Sequence, residues 1–402
     1  MLIQRLPIGS PWIPLLLMAL SIAVWAEMDL FAPALPELMA YFKTNETVIQ
    51  WTFSFNFFGF FVTSLFCGAL ADALGRRVVL LTGTALFVLG SIFSVTATQI
   101  EFFLLGRFIQ GIGVSAPAVV VMAILTDLYQ GAVLVRWLSI TNCIITTTMA
   151  LAPVAGAYLT EYFGWRSNFA VISAMAILGF VLAFLFVPET LPKENRKKFK
   201  ARFLITDYKR LLTSKKFLQP MLGLSFLVVP YFIFVGIISL LFMNELLIPM
   251  EEYVVYQGSI VAVFAFFSLL VSIFGSRLNL DFWMRISMLI CVLSATCLLF
   301  HGLFLKDNAR NLTILMGFLA SGMVIPCTFL YVRALSVYPD LQASSAALFQ
   351  SIRMFMLSIG TAVAGAMYNG FYMPIGLITG FCILVGAILS VKELSRLAQT
   401  SH

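Results

Sequence analysis

The stretch GALADALGRRVVL, residues 68–80, is a short charged turn between two long apolar runs, 50–71 and 78–98, neither of which holds a charged residue. Each run is long enough to cross about 30 Å of hydrocarbon as a helix. The segment therefore reads as a helical hairpin through a membrane, with its charged turn in water. Asp72 precedes Arg76 and Arg77 by four and five residues across Gly75. Gly75 permits the tight reversal, and Gly68 is expected to let helices approach closely.

Working outward, the same pattern repeats along the chain. Apolar runs fall at 12–35, 50–71, 78–98, 102–126, 137–160, 168–187, 217–243, 254–275, 283–304, 312–334, 344–368 and 371–391. The composition agrees: 61% of the 402 residues are hydrophobic, 11% are charged, and mean hydropathy is +1.00. Water-soluble domains carry roughly a quarter charged residues. The expected fold class is an all-α integral membrane protein with twelve transmembrane helices. The first run is too long for a signal peptide and lacks a small-residue cleavage site, so it reads as a retained span.

One long polar stretch, from Pro188 to Lys216, divides the spans six and six and holds ten Lys and Arg between Lys193 and Lys216. The expected organisation is an N-terminal six-helix half at 1–190, a basic linker at 191–216 and a C-terminal half at 217–402. Alternate loops share the basic character: Arg5, Arg76 with Arg77, Arg136, the linker, Arg277 with Arg285, Arg333, and Lys392 with Arg396. The opposite side has Lys43, Arg166, Lys306 and Arg310. Excess Lys and Arg mark the cytoplasmic side, which places both termini and the linker there. The linker reads as a solvated tether strengthened by anionic lipid. The net charge of +7 is accounted for by these loops and gives no reason to expect nucleic acid.

Cys67, Cys143, Cys291, Cys297, Cys327 and Cys382 all lie in apolar runs without CxxC spacing, and read as buried small hydrophobes. His301 and His402 are too far apart for a metal site. No cofactor and no metal are expected. No GxxxxGK[ST], GxSxG or HExxH motif is present, so neither direct ATP drive nor an enzyme is expected.

Residues 68–80 resemble the major facilitator superfamily signature G-x-L-x-D-x-x-G-R-R-x-x-L at every fixed position. The resemblance covers the whole chain and implies two pseudo-symmetric six-helix halves. It also implies a conformational latch built from Gly68, Asp72, Gly75, Arg76 and Arg77, with Asp127 at the end of span four. The corresponding second-half loop, 274–285, keeps Gly275 and Arg277 but no clear acidic partner. In span four, Arg107, Gln110, Gly111 and Gly113 resemble the family pattern R-x-x-Q-G-x-G. Arg107 either holds the irregular part of span one or also tunes a carboxylate. In span five, Pro153 and Gly156 fit the antiporter signature G-x-x-x-G-P-x-x-G-G, whereas Ala152 and Ala157 replace two of its glycines.

At the end of span one, Asp29, Pro33 and Pro36 resemble the D-x-x-x-P-x-L-P ending of the bicyclomycin/chloramphenicol-resistance branch of drug:proton antiporters. GMVIPCTF (322–329) and LQASSAALFQ (341–350) resemble that branch too, with Gln342 in place of a glycine. An intramembrane acid can load and release protons, and a bound cation expels the proton by favouring the ionised form. Asp29 is therefore the expected proton-coupling residue. Glu27 lies about 200° around an ideal helix from it, so it is either a second acid or a partner for a neighbouring helix. Arg353, inside span eleven, is either the structural partner of a buried acid or a group that recognises an acidic substrate. Trp25, Asn56, Asn142 and Tyr231 are further candidates to line the site.

The leading functional expectation is proton-coupled efflux of small amphipathic or cationic compounds by alternating access. It implies a monomer in a bacterial inner membrane, whose partners are a small-molecule substrate, protons and the lipid bilayer. A dedicated metabolite or siderophore carrier is the alternative, and a non-transporting membrane sensor a third.

Overall fold

A computed structural model describes residues 6–7, 10–196, 201–274, 279–338 and 341–400. Its α-helices are α1 (Trp12–Asp29), α2 (Leu35–Phe42), α3 (Glu46–Leu74), α4 (Arg76–Thr96), α5 (Ile100–Leu128), α6 (Gly131–Phe163) and α7 (Arg166–Phe186). They continue as α8 (Ala201–Thr213), α9 (Lys215–Ser239), α10 (Met250–Phe274), α11 (Leu280–Phe304), α12 (Ala309–Ser336), α13 (Gln342–Met367) and α14 (Met373–Thr400). Among the described residues, 12 helical stretches are long and apolar enough to cross a membrane. Arg5 and the second-half turn with Gly275 and Arg277 lie outside the described residues.

The first span differs from a simple 12–35 helix. It runs from Trp12 to Phe42 and is broken in the middle. Pro33 has no N–H to donate, and its ring crowds the preceding turn. The ladder of α1 ends with Leu30, whose N–H reaches the Ala26 carbonyl at 2.9 Å. A 3₁₀ turn at Ala32–Ala34 follows, closed by Ala34 N–H to the Phe31 carbonyl at 2.9 Å, and α2 then starts with Pro36 in its first turn. The break leaves Asp29 as the last residue of α1.

The chain folds as two compact units. One takes the chain up to Glu37 together with Thr52–Ile205; the other joins Leu38–Trp51 to the chain from Thr206 onward. In the first unit α4 and α5 touch through their backbones. A methyl group at Gly113 would lie 2.1 Å from the Phe87 nitrogen, and one at Gly90 would lie 2.3 Å from the Gln110 nitrogen, so only glycine allows this crossing. In the second unit Thr47 Oγ1 donates to the Gly365 carbonyl at 2.9 Å, and the Gln50 side-chain amide donates to the Gly236 carbonyl. Helix α9 ends in a π-helical turn, Leu240–Glu245, where Leu246 N–H reaches back five residues to Leu241 at 2.9 Å.

The linker is more than a tether, because it contains α8. Leu204, Tyr208 and Leu211 recur at helical spacing and form an inward face, with Leu211 fully buried, while Lys209 and Arg210 stay exposed. Ser344 Oγ donates to Asp207 Oδ2 at 3.2 Å, and the Arg210 guanidinium lies 4.5 Å from the Tyr338 ring centroid. The high charge of the stretch masks the helical period of its apolar residues.

The cysteines also divide. Cys67, Cys291 and Cys382 are buried, as their apolar setting suggests, but Cys143 and Cys297 are exposed and Cys327 is intermediate. In a spanning helix an outward-facing position meets lipid rather than water, so apolar sequence alone does not imply a protein core.

Candidate functional site

The break in α1 sets up a network of buried polar groups in the first unit. Glu27 and Asp29 are both fully buried, and Arg107 of α5 is 1% exposed. Arg107 Nη1 pairs with Glu27 Oε1 and also donates to Gln110 Oε1. Asn56 Nδ2, from α3, donates to the same Glu27 oxygen at 2.9 Å and to the Arg107 carbonyl at 3.3 Å. Gln110 Nε2 donates to Ser91 Oγ of α4 at 2.9 Å, and Arg107 Nε to the Thr52 carbonyl at 3.4 Å. The Arg107 guanidinium sits 4.3 Å from the Phe31 ring and 5.7 Å from the Phe169 ring. A planar guanidinium can stack on aromatic rings and use its edge donors at the same time, which a lysine cannot.

These contacts make Glu27 a partner of two neighbouring helices, through Arg107 and Asn56. Asp29, two residues on, behaves differently, since both of its carboxylate oxygens are buried without a hydrogen-bond partner. Glu27 is close enough to act on it electrostatically. Among the described residues an ionised carboxylate in that position would have neither donor nor counter-charge, and burying an unpaired ion costs far more than burying the neutral acid. The arrangement thus holds one acid in a network of donors and leaves the other without one among the described residues.

Span five reaches the same place. Pro153 lies inside α6, and a methyl at Gly156 would fall 1.7 Å from the Leu30 carbonyl oxygen. Gly156 therefore lets α6 sit directly on the residue that follows Asp29. Ala152 and Ala157, which replace the family's glycines, are buried at 5% and 0% exposure, so small size suffices at those positions.

The charged turn is also assembled. Gly75 adopts φ 107° and ψ 148°, a conformation open in practice to glycine alone. Arg76 Nη1 meets Asp72 Oδ1 at 2.5 Å, and its Nε meets Asp127 Oδ2 at 3.1 Å. Arg77 donates instead to backbone carbonyls, from Nε to Val187 at 2.8 Å and from Nη2 to Phe184 at 2.6 Å. Gly68 does not serve as expected. A methyl there would meet nothing within 4 Å, because side-chain charges rather than backbone contact hold this turn.

Three members of the turn were missed in the sequence. Glu189 Oε1 accepts from Arg76 N–H at 2.9 Å, its Oε2 pairs with Arg196 Nη2 at 3.3 Å, and Thr190 Oγ1 donates to Asp127 Oδ2 at 3.1 Å. The only signal for them was an acid placed directly after span six.

Arg353, in α13, is not the partner of a buried acid. It donates from Nη2 to Gln350 Oε1 and forms no ion pair among the described residues. Of the further candidates, Asn56 joins the Glu27 network, Trp25 is half-buried, Tyr231 packs edge-on against Phe232 at 5.4 Å, and Asn142 is exposed on α6.

Known proteins share this plan. A bicyclomycin resistance protein homologue of Haemophilus influenzae is 24% identical over 361 residues, covering 90% of each chain. The multidrug resistance protein MdtL of Shewanella oneidensis is 33% identical over 189 residues, 44% of this chain and 48% of that protein. The chloramphenicol resistance protein CraA of Acinetobacter baumannii is 28% identical over 240 residues, 60% of this chain and 58% of that protein. Among solved structures, the xylose transporter XylE of E. coli, in a partially occluded inward-open conformation, superposes with TM-score 0.73 at 14% identity, over 94% of this chain and 96% of that one. A bacterial homologue of the lysosomal transporter Spinster gives 0.71 at 15%, over 97% of each. The sequence matches the family model over residues 17–365, and with the twelve spans and the assembled turn in place the chain belongs to the Major Facilitator Superfamily.

Proposed function

We propose that this secondary transporter exports small amphipathic compounds, cations among them, in exchange for protons, and that Asp29 carries the proton. The observation that carries the reading is the contrast between two buried acids: Glu27 is held by Arg107 and Asn56, whereas Asp29 has no partner. The drug-resistance names of the relatives support export. A cation arriving near Asp29 favours its ionised form and displaces the proton; once the cation has left on the outer side, the inward-directed proton gradient reloads the acid. Asp72, Arg76 and Asp127 act as a latch on one conformation, to which Glu189 ties the start of the linker. The two six-helix halves rock about the substrate site. The protein works as a monomer in the inner membrane, with both termini in the cytoplasm.

Asp29→Asn tests this directly, because it keeps the shape of the side chain and removes the titrating proton. In proteoliposomes, drug transport driven by a pH gradient should be lost while the melting temperature stays within a few degrees of the native protein. Undiminished pH-driven transport by the variant would remove Asp29 from the mechanism.

A further inference from the structure

The second unit keeps a half-buried arginine with no counter-charge among the described residues. Arg353 stands near the middle of the 26-residue α13, at least about 16 Å from either end at 1.5 Å per residue. Its Nη2 is engaged by Gln350 one turn earlier, and its Nε is buried without a hydrogen-bond partner. The neighbours that act on it electrostatically are Tyr331 and Cys327 of α12, and neither side chain is ordinarily charged at neutral pH. Tyr331 is held edge-on against Phe349 of α13, with ring centroids 5.2 Å apart. Arg107 in the first unit shows what a satisfied buried arginine looks like here, with a carboxylate, a side-chain amide oxygen and a backbone carbonyl on its donors.

A guanidinium does not shed its charge in proteins, and no described residue supplies an anion to Arg353, which leaves the position open to one from outside. The depth of the residue argues against a lipid headgroup, which stays at the bilayer surface. We propose that Arg353, oriented by Gln350 and flanked by Tyr331, is an anion-recognition subsite that takes the carboxylate of an amphipathic substrate. The unused Nε–H is one point of a two-point grip on a planar anion, a geometry that an ammonium cannot reproduce. The inference rests on the transport reading for the identity of the ligand as cargo, and it narrows that cargo to compounds bearing an acidic group, zwitterions included.

The test uses two rhodamine dyes that share a fluorophore, one with a free carboxylate and one with that group as its methyl ester. Binding of each to the purified full chain in a neutral detergent is read by fluorescence anisotropy. The acid should bind about tenfold more tightly than the ester, as a charge-assisted grip implies. Arg353→Gln should erase that preference while leaving ester affinity and melting temperature near native, and Arg353→Lys should retain only part of it. Failure of the native protein to bind the acid dye, equal affinities for the two dyes, or a preference that survives Arg353→Gln would overturn the proposal. Displacement of the acid dye alone by phosphatidylglycerol would also overturn it, by assigning the site to a headgroup. Uptake of the acid dye driven by a pH gradient is measured separately: its absence counts against the export reading, while the binding ratio still decides the role of Arg353.

Discussion

Replacing Arg107 with methionine removes the cation paired with Glu27, in a place where the two side chains are 1% and 0% exposed. Breaking a buried pair from one side costs about 3–5 kcal/mol, because the surviving charge stays uncompensated. The amide oxygen of Gln110 also loses its donor, which adds about 1 kcal/mol or more. Methionine fills the space between Phe31 and Phe169 well enough that a cavity contributes little, so the loss is electrostatic in origin. The double variant Glu27→Gln/Arg107→Met should then be much less damaged than Arg107→Met alone. A double-mutant cycle should yield a coupling of about 2–3 kcal/mol, near the upper end for residues in direct contact. Equilibrium unfolding in mixed micelles measures each corner of the cycle. A coupling near zero, or an Arg107→Met variant as stable as the native protein, would refute the assignment of this pair as the fixed element of the site.

Gly156→Val should prevent α6 from seating on α1, since even a methyl would lie 1.7 Å from the Leu30 oxygen; poor folding yield and lost transport are expected, and a well-folded active variant would contradict the packing. Glu189→Gln should loosen the charged turn through its contacts with Arg76 and Arg196, and it should raise maleimide labelling of Cys67 when that residue is the sole cysteine, because Cys67 is 0% exposed at rest. Unchanged labelling would show that Glu189 is a bystander. In the linker, Leu211→Ala should cost about 2–4 kcal/mol as a buried leucine truncation, whereas Leu212→Ala, at an exposed position, should cost little; equal effects would mean that α8 does not dock by its inward face.

The fold was readable from Gly68–Leu80 outward because lipid imposes a simple rule. Every backbone polar group must be satisfied within the chain, so apolar length alone announces a helix. Where the rule lapses, so does the reading. The first span ran past its expected end at residue 35 to Phe42 because the proline pair breaks the helix without ending it. Helix α8 was hidden under its basic residues, for total charge masks a periodic apolar face. At the site, Asp29 and Arg107 were visible as isolated charges in apolar sequence. The motif singled out Asp29, but the pairing of Glu27 was not visible, because it depends on Arg107 and Asn56 arriving from other helices. Arg353 shows the opposite limit: its sequence setting left open either a buried acid or an acidic substrate as its partner, and it forms no ion pair among the described residues.

The backbone at Gly75 has a consequence for how this gene can vary. Its φ of 107° and ψ of 148° lie outside the left-handed basin that asparagine and aspartate can enter, so the usual substitutes for a turn glycine fail there. A methyl at Gly75 would also lie 2.2 Å from Glu189 Oε2, so any side chain would push away the carboxylate that caps Arg76. Gly131, with φ 56° and no atom within 4 Å of an added methyl, carries neither constraint. In a saturation library selected for drug resistance, codon 75 should return glycine alone, whereas codon 131 should admit asparagine and aspartate.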